Sequence, residues 1–255
     1  MRSQWESELA MNIIAALTDE QVGKMPCAGC EDRDCPIRSA LGDAGLNLCT
    51  GAIRQISARP GERIEISGYK PDTVFRVASG MLMQEHVLGD GRRHVSAFKT
   101  DGEIAWPLSN DTIGEIREFY EAVKPSDVCV ISVDTVAEAT PNPAELMETL
   151  YSAAKDEVAR GQARMLTLAR SSAAERLAGF LVDLAGRTGR QSKRGIELKL
   201  NMRRERIADH LGMQPETISR IMSTFKKDGV IQLPRPTVVI IPDIRALASI
   251  AYGAG

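Results

Sequence analysis

The feature that most constrains this chain is a long helical stretch that opens at Pro143. Asn142 is suited to cap it, Pro143 to occupy the first helical position, and Glu145 to stand in the first turn. No further proline occurs until well past Arg170, although Gly161 lies inside. Met147, Leu150, Ala154, Val158, Gly161, Met165 and Leu168 recur in steps of three and four, the period of a coiled-coil seam. At 1.5 Å per residue, about 28 residues make a rod of about 42 Å. Such a helix is either packed on its own domain or is the seam of a dimer. Its length and heptad period favour the seam, where Ala154 and Gly161 allow a partner helix to approach closely. A homodimer is expected.

The chain reads differently on the two sides of this helix. From Ala52 to Val133 it is a series of short strands separated by turn signals. Arg59-Pro60-Gly61-Glu62 is a turn, Ile64 and Ile66 alternate with Glu65, and Ser67-Gly68 closes that strand. Thr73 to Ala78 and Met81 to Leu88 read as strands joined at Ser79-Gly80, and Gly89-Asp90-Gly91 turns into Arg93 to Phe98. Turns this frequent suggest a small β-barrel or roll. Beyond Arg170 the elements alternate: an amphipathic Ser172 to Arg187, a strand Ile196 to Leu200, and helices Arg203 to Leu211 and Pro215 to Lys227 around Gly212. Strands Val230 to Leu233 and Val238 to Ile241 then form a two-stranded wing. The expected fold class is α+β. The expected segments are 1–50 with a cysteine loop, a β-roll over 51–141, a dimerisation helix over 142–170, and a winged helix-turn-helix over 171–255.

Charge separates along the same lines. The whole chain carries a formal charge of -2. Between Arg187 and Arg235, however, twelve basic residues stand against five acidic ones, a balance of about +7. A basic end on an acidic body suits a phosphate-binding module joined to a sensor or assembly domain. No apolar run is long enough to cross a bilayer. Met1 to Glu20 is acidic and amphipathic rather than an export signal, so a cytoplasmic protein without membrane association is expected.

The stretch from Arg203 to Arg220 carries the most chemical information. Ile207, Ala208 and Leu211 give the first helix an apolar face, and Ile218, Ile221, Met222 and Phe225 do the same for the second. Glu216, Ser219, Arg220 and Ser223 then fall on the opposite side. These types suit the major groove of double-stranded DNA: Arg donates a bidentate pair to guanine, Glu accepts from cytosine, and Ser is tolerant. Arg204, Lys226 and Lys227 are placed as phosphate contacts, which give affinity without sequence choice. Glu216 could also simply complement the helix dipole.

Glu216-Thr217-Ile218-Ser219-Arg220 resembles the recognition helix of the Crp/FNR superfamily, and of its FNR branch in particular. Ala174-Glu175-Arg176-Leu177-Ala178 resembles the same family's segment just after the dimerisation helix. The resemblance runs from about Cys27 onward. It implies a β-roll of the cyclic-nucleotide-binding type, a homodimer on a palindrome of the TTGAT…ATCAA kind, and RNA polymerase as a partner. Glu216, Ser219 and Arg220 fall on the family's base-reading positions. Gln214 departs from the small residue usual at the start of that helix.

Five cysteines are present, and Cys27, Cys30 and Cys35 crowd one short loop bounded by Pro26 and Pro36. In a cytosolic protein such spacing points to metal or redox chemistry. From spacing alone, an iron-sulfur cluster, structural zinc and a metal-free thiol switch are all open. The fourth thiolate would come from Cys49 or Cys129. The resemblance implies a [4Fe-4S] cluster on Cys27, Cys30, Cys35 and Cys129, which leaves Cys49 as a small buried hydrophobe. With it comes an oxygen- or nitric-oxide-responsive transcription regulator whose intact cluster favours the dimer.

Other readings are weaker. Gly102-Glu103 is faintly like a cyclic-nucleotide phosphate pocket, but no Arg-Ser-Ala segment follows and Trp106-Pro107 stands there instead. A haem-based sensor finds no ligand pattern in His86, His94 and His210, and His210 is expected to be structural. An enzyme would need a nucleophile elbow, a phosphate loop or a paired-His metal motif, none of which occurs in the sequence. An iron-sulfur electron carrier fits the cysteines but not the basic winged end.

Overall fold

The computed structural model describes residues 13–14, 35–48, 52–65, 72–107, 116–170 and 172–253. Cys27, Cys30 and Cys49 lie outside them, as do the segment Met1 to Glu20 apart from Ile13–Ile14, and Ile66 to Gly68. The chain divides into two compact units, 1–158 and 159–255.

The first unit is built on a seven-stranded sheet. Its strands are β1 (Ile13–Ile14), β2 (Ile53–Ala58), β3 (Arg63–Glu65), β4 (Thr73–Val87), β5 (Arg93–Thr100), β6 (Ile104–Ala105) and β7 (Arg117–Ser132). The main path runs β1-β3-β7-β4-β5, with β2 also on β7 and β6 also on β4. Three helices belong to this end of the chain: α1 (Pro36–Leu48), α2 (Val133–Ala139) and the start of α3 (Pro143–Arg170).

Strand alternation gives the sheet two apolar faces. Phe75, Ala105, Val128 and Val130 join Leu82, Ile56 and Tyr120 in one core, with the Phe75 and Tyr120 rings 5.6 Å apart. One residue out of step, Val74, Ile104, Cys129 and Ile131 face a second core. There they meet Ile37, Ala40 and Leu41 of α1, Val136 of α2, and Leu146 and Leu150 of α3. Each Val, Leu, Ile or Phe side chain among them contributes roughly 1.5–3 kcal/mol by leaving water.

One expectation about the strands requires correction. Ser79-Gly80 is no turn: the chain runs through as the single strand β4, with register shifts at Val77/Ser79, Ser79/Met81 and Met81/Leu82. Gly80 sits in this bulge at φ 117°, where a side chain would run into Ser126 of β7. The required glycine is a mark of the bulge. Cys129 lies near the end of the 16-residue β7. Pro125 interrupts that apolar pattern, and the β4–β7 pairing passes over it between Lys124 and Asp127.

Helix α3 has 28 residues and starts where the sequence placed it, with the Leu146 amide donating to the Asn142 carbonyl. Within the first unit it is tied to the sheet by an ion pair between Glu157 and Lys99, whose ammonium is buried.

The second unit contains α4 (Ala173–Thr188), α5 (Arg204–Leu211), α6 (Pro215–Lys227) and α7 (Ile244–Tyr252). Its strands are β8 (Arg190–Ser192), β9 (Gly195–Lys199), β10 (Gln232–Arg235) and β11 (Val238–Ile241). Ser172 caps α4 by accepting from the Glu175 amide, while the Glu175 carboxylate accepts from the Ser172 amide, a capping box. Helix α7 was not anticipated. The wing hairpin β10–β11 is also not isolated: it forms half of a four-stranded sheet ordered β10-β11-β9-β8. Pairing of Val239 with Leu198 and Ile240 with Glu197 anchors it.

Candidate functional site

The reader is set by a short turn. Gly212 caps α5 in the left-handed conformation (φ 61°), and the Met213 amide donates to the Ala208 carbonyl. This turn redirects the chain into α6, which Pro215 opens at its first position. Gln214 is the N-cap there and makes no side-chain capping bond. Ile207, Ala208 and Leu211 of α5 and Ile218, Met222 and Phe225 of α6 are buried. Ile221 is half-buried.

The opposite side of α6 is open. Glu216, Ser219, Arg220, Ser223, Lys226 and Lys227 are all exposed. Among the described residues neither Glu216 nor Arg220 is held in an ion pair. Ser219 Oγ donates to the Pro215 carbonyl at 3.1 Å and Ser223 Oγ to the Ser219 carbonyl at 2.9 Å. These serines therefore lie against their own helix, and their oxygens still accept. Arg204 has a different place from the surface residues. It is half-buried, its Nη2 donates to the Pro236 carbonyl at the wing turn at 3.0 Å, and burial lowers its guanidinium pKa from the ordinary value. It links α5 to the wing, with further N–H groups left over. His210 is structural: its ring packs 5.5 Å from that of Phe180, and its carbonyl accepts from Arg164 of α3 at 3.1 Å.

Helix α3 departs from the spacing expectation at one position. Leu150 is 3 % exposed and belongs to the chain's own core beside Leu146. Tyr151, 70 % exposed, takes its place on the open face. Met147, Val158, Met165 and Leu168 are exposed apolar side chains, Gly161 is exposed, and Ala154 is half-buried. With Tyr151 for Leu150, the steps alternate strictly between four and three from Met147 to Leu168, a regular heptad stripe. The sequence could not separate the two positions, because both are large and apolar.

The cysteine site is assembled from distant segments. Cys35 (6 % exposed) immediately precedes α1, and Cys129 (8 %) lies on β7, yet both belong to the same buried cluster. The remaining side chains of that cluster are aliphatic, so sulfur atoms are its polarizable donors. On the same sheet face, buried Arg76 of β4 stands directly opposite Cys129. Among the described residues no group of three or more His, Cys, Asp or Glu side chains could hold a metal ion. A four-thiolate site would complete itself with Cys27 and Cys30. Two buried thiols in a dry aliphatic setting, with a guanidinium on the same face, suit an anionic sulfur-ligated group.

This thiol core is coupled to the start of α3. Ser39 Oγ of α1 donates to Glu145 Oε1 at 2.9 Å, and Thr140 Oγ1 donates to the Ala40 carbonyl at 2.5 Å. The segment that carries Cys35 is thereby fastened to the residues that open the long helix.

A β-roll unit, a long helix with an open heptad stripe and a winged helix-turn-helix together define the class of sensor-linked DNA-binding regulators. Residues 175–250 match the Crp-like helix-turn-helix domain. The chain is 33 % identical over 178 residues to the nitrogen fixation regulation protein FixK of Azorhizobium caulinodans, covering 69 % of this chain and 70 % of that one. It is 25 % identical over 228 residues to the fumarate and nitrate reduction regulatory protein of Yersinia pestis, covering 88 % and 90 %. The FixK2 structure from Bradyrhizobium japonicum superposes with a TM-score of 0.67 at 25 % identity, over 80 % of this chain and 99 % of that one. The chain belongs to the Crp/FNR family of DNA-binding transcription regulators; it is not an enzyme. No described helix is long and apolar enough to cross a membrane.

Proposed function

We propose that this regulator senses oxygen or a related redox signal through a [4Fe-4S] cluster held by Cys27, Cys30, Cys35 and Cys129. The observation that carries this reading is the burial of Cys35 and Cys129 in one core with Leu146 and Leu150 of α3. A bound cluster supplies a centre that oxygen or nitric oxide destroys, so that its integrity reports those molecules. The chain's own residues do the rest. Cys35 and Cys129 draw α1 and β7 together, and Ser39 and Thr140 pass that order to Glu145 and the start of α3. The stripe Met147, Tyr151, Ala154, Val158, Gly161, Met165 and Leu168 then pairs with a second copy.

Only a dimer reaches both half-sites of a palindrome, about one helical turn apart. Each α6 would lie in the major groove, with Arg220 on guanine, Glu216 on cytosine and Ser219 alongside. Lys226 and Lys227 hold phosphates, and Arg204 adds to them while fixing the wing. In this scheme 1–50 and 51–141 sense, 142–170 dimerises and 171–255 reads double-stranded DNA, with RNA polymerase as the downstream partner in the cytoplasm.

The test is an anaerobic absorption spectrum with iron and sulfide analysis, repeated after admitting air, beside DNA binding by wild type and Cys27→Ala. About four irons per chain, colour that bleaches in air, and weakened dimerisation and DNA binding in Cys27→Ala are expected. Colourless protein holding zinc, or a Cys27→Ala protein that dimerises and binds like wild type without oxygen, would sink the cluster reading. The family assignment would stand in either case.

A further inference from the structure

Trp106 follows β6 directly and packs against the core that contains Cys35 and Cys129. Its indole Nε1 is buried and has no hydrogen-bond partner. The sheet register accounts for this placement. Ile104 of β6 lies opposite Arg76 of β4, and Arg76 lies opposite Cys129 of β7. Two residues beyond Ile104, Trp106 returns to the same face, as Ile131 does two residues beyond Cys129. Trp106 and Cys129 therefore address one core from opposite sides of β4.

An indole N–H withdrawn from water without a partner is costly, and tryptophan usually spends that donor when buried. Among the hydrophobic residues of this core only the cysteines carry a side-chain acceptor, and Arg76, buried on the same face, can only donate, so sulfur is the acceptor they offer. A phenylalanine or leucine would fill the same space with no donor to satisfy.

We propose that Trp106 is a positioning residue for the cysteine site: its indole N–H donates to the sulfur ligand shell formed around Cys35 and Cys129 and holds the bound metal group in place. The inference rests on the iron-sulfur reading above. Hydrogen bonds to ligating sulfur orient the ligands and slow loss of the metal, and removal of such an outer partner commonly weakens retention by on the order of tenfold.

The chain has two tryptophans, Trp5 and Trp106, so Trp5→Phe protein reports on Trp106 alone. This protein is prepared without oxygen, assayed for iron and sulfide, and its fluorescence compared before and after the iron is stripped. Close approach to the metal group predicts that most Trp106 emission is lost in loaded protein and returns on stripping. In parallel, Trp106→Phe keeps the aromatic packing but removes the donor. It should load iron and melt at the same temperature as wild type, yet release iron to a chelator on the order of tenfold faster under anaerobic conditions.

Iron-loaded protein with undiminished Trp106 emission would overturn this proposal and leave the cluster reading intact. So would a Trp106→Phe protein that releases iron at the wild-type rate. Protein that takes up no iron overturns both, and the iron assay identifies that case before any fluorescence is read.

Discussion

The reader helix and the cysteine core place their candidate functional groups in opposite ways. In the reader, Glu216, Ser219, Arg220, Lys226 and Lys227 occupy one exposed side of a single 13-residue helix whose other side is buried. Its chemistry and its packing are therefore separable. In the cysteine core, Cys35, Cys129 and Trp106 come from three distant stretches of chain, and each is also part of the packing. There, a substitution changes the chemistry alone only if it keeps the packing, as Trp106→Phe is chosen to do. Surface sites of the first kind tolerate most substitutions, while buried sites of the second kind tolerate only those that preserve the fit.

The largest test lies between the two regions, on α3. Val158→Glu with Met165→Glu puts charge into the exposed stripe, where the described chain itself makes no use of apolar side chains. We expect monomers by sedimentation and DNA affinity lower by on the order of a thousandfold, because the second half-site no longer benefits from linkage. A dimer of undiminished affinity would remove the seam. The next test concerns packing. Lys99→Met removes the buried ammonium and leaves Glu157, whose side chain is 32 % exposed, in reach of water, so it should lower unfolding free energy by about 1–3 kcal/mol in a denaturant titration.

Arg220→Ala sharpens the contrast from the reader's side. It should cost roughly 5- to 150-fold in affinity for the palindrome, the weight of about 1–3 kcal/mol for a bidentate base contact, at an unchanged melting temperature. If the melting temperature fell as far as in Lys99→Met, chemistry and packing would not be separable in the reader either. Gly80→Ala, in the β4 bulge, should destabilise by about 1–3 kcal/mol through the clash with Ser126, without altering the reader.

The smallest effect is one of pH. Burial, with the nearby Glu118 and Glu157 carboxylates, pushes the Tyr120 phenol well above its ordinary value of 10.0. Above that pH the unfolded chain gives up the phenolic proton while the folded chain keeps it, so the unfolded state binds fewer protons and stability falls as pH rises. Tyr120→Phe should flatten that alkaline decline in a series of melting curves. An unchanged decline would assign it to other groups.

Much of the reader was legible in the sequence. Helix α6 begins and ends where Pro215 and Lys227 placed it, because helix period, an N-terminal proline and a left-handed glycine act over a few residues. The length of α3 was equally readable from Pro143 and the absence of later proline. Local signals gave less for the roll. Ser79-Gly80 looks like a turn to a reading of neighbours, and only pairing with β7 turns it into a bulge. The wing's attachment to β9 and the helix α7 also went unseen, the first because sheet partners are not written in local periodicity.

What the sequence by itself determined is the set of parts: a strand-rich unit, a long heptad helix, a basic helix-turn-helix and a cluster of thiols. Such features follow from spacings of two, three and four residues, which fix which face of an element is apolar. Tertiary structure alone decided which of two adjacent apolar residues faces outward, taking Leu150 into the core and leaving Tyr151 on the stripe. It also decided that Cys35 and Cys129 share one core with the indole of Trp106. Those outcomes depend on contacts between residues far apart in the chain, whose proximity is set by sheet register and helix docking rather than by any local pattern.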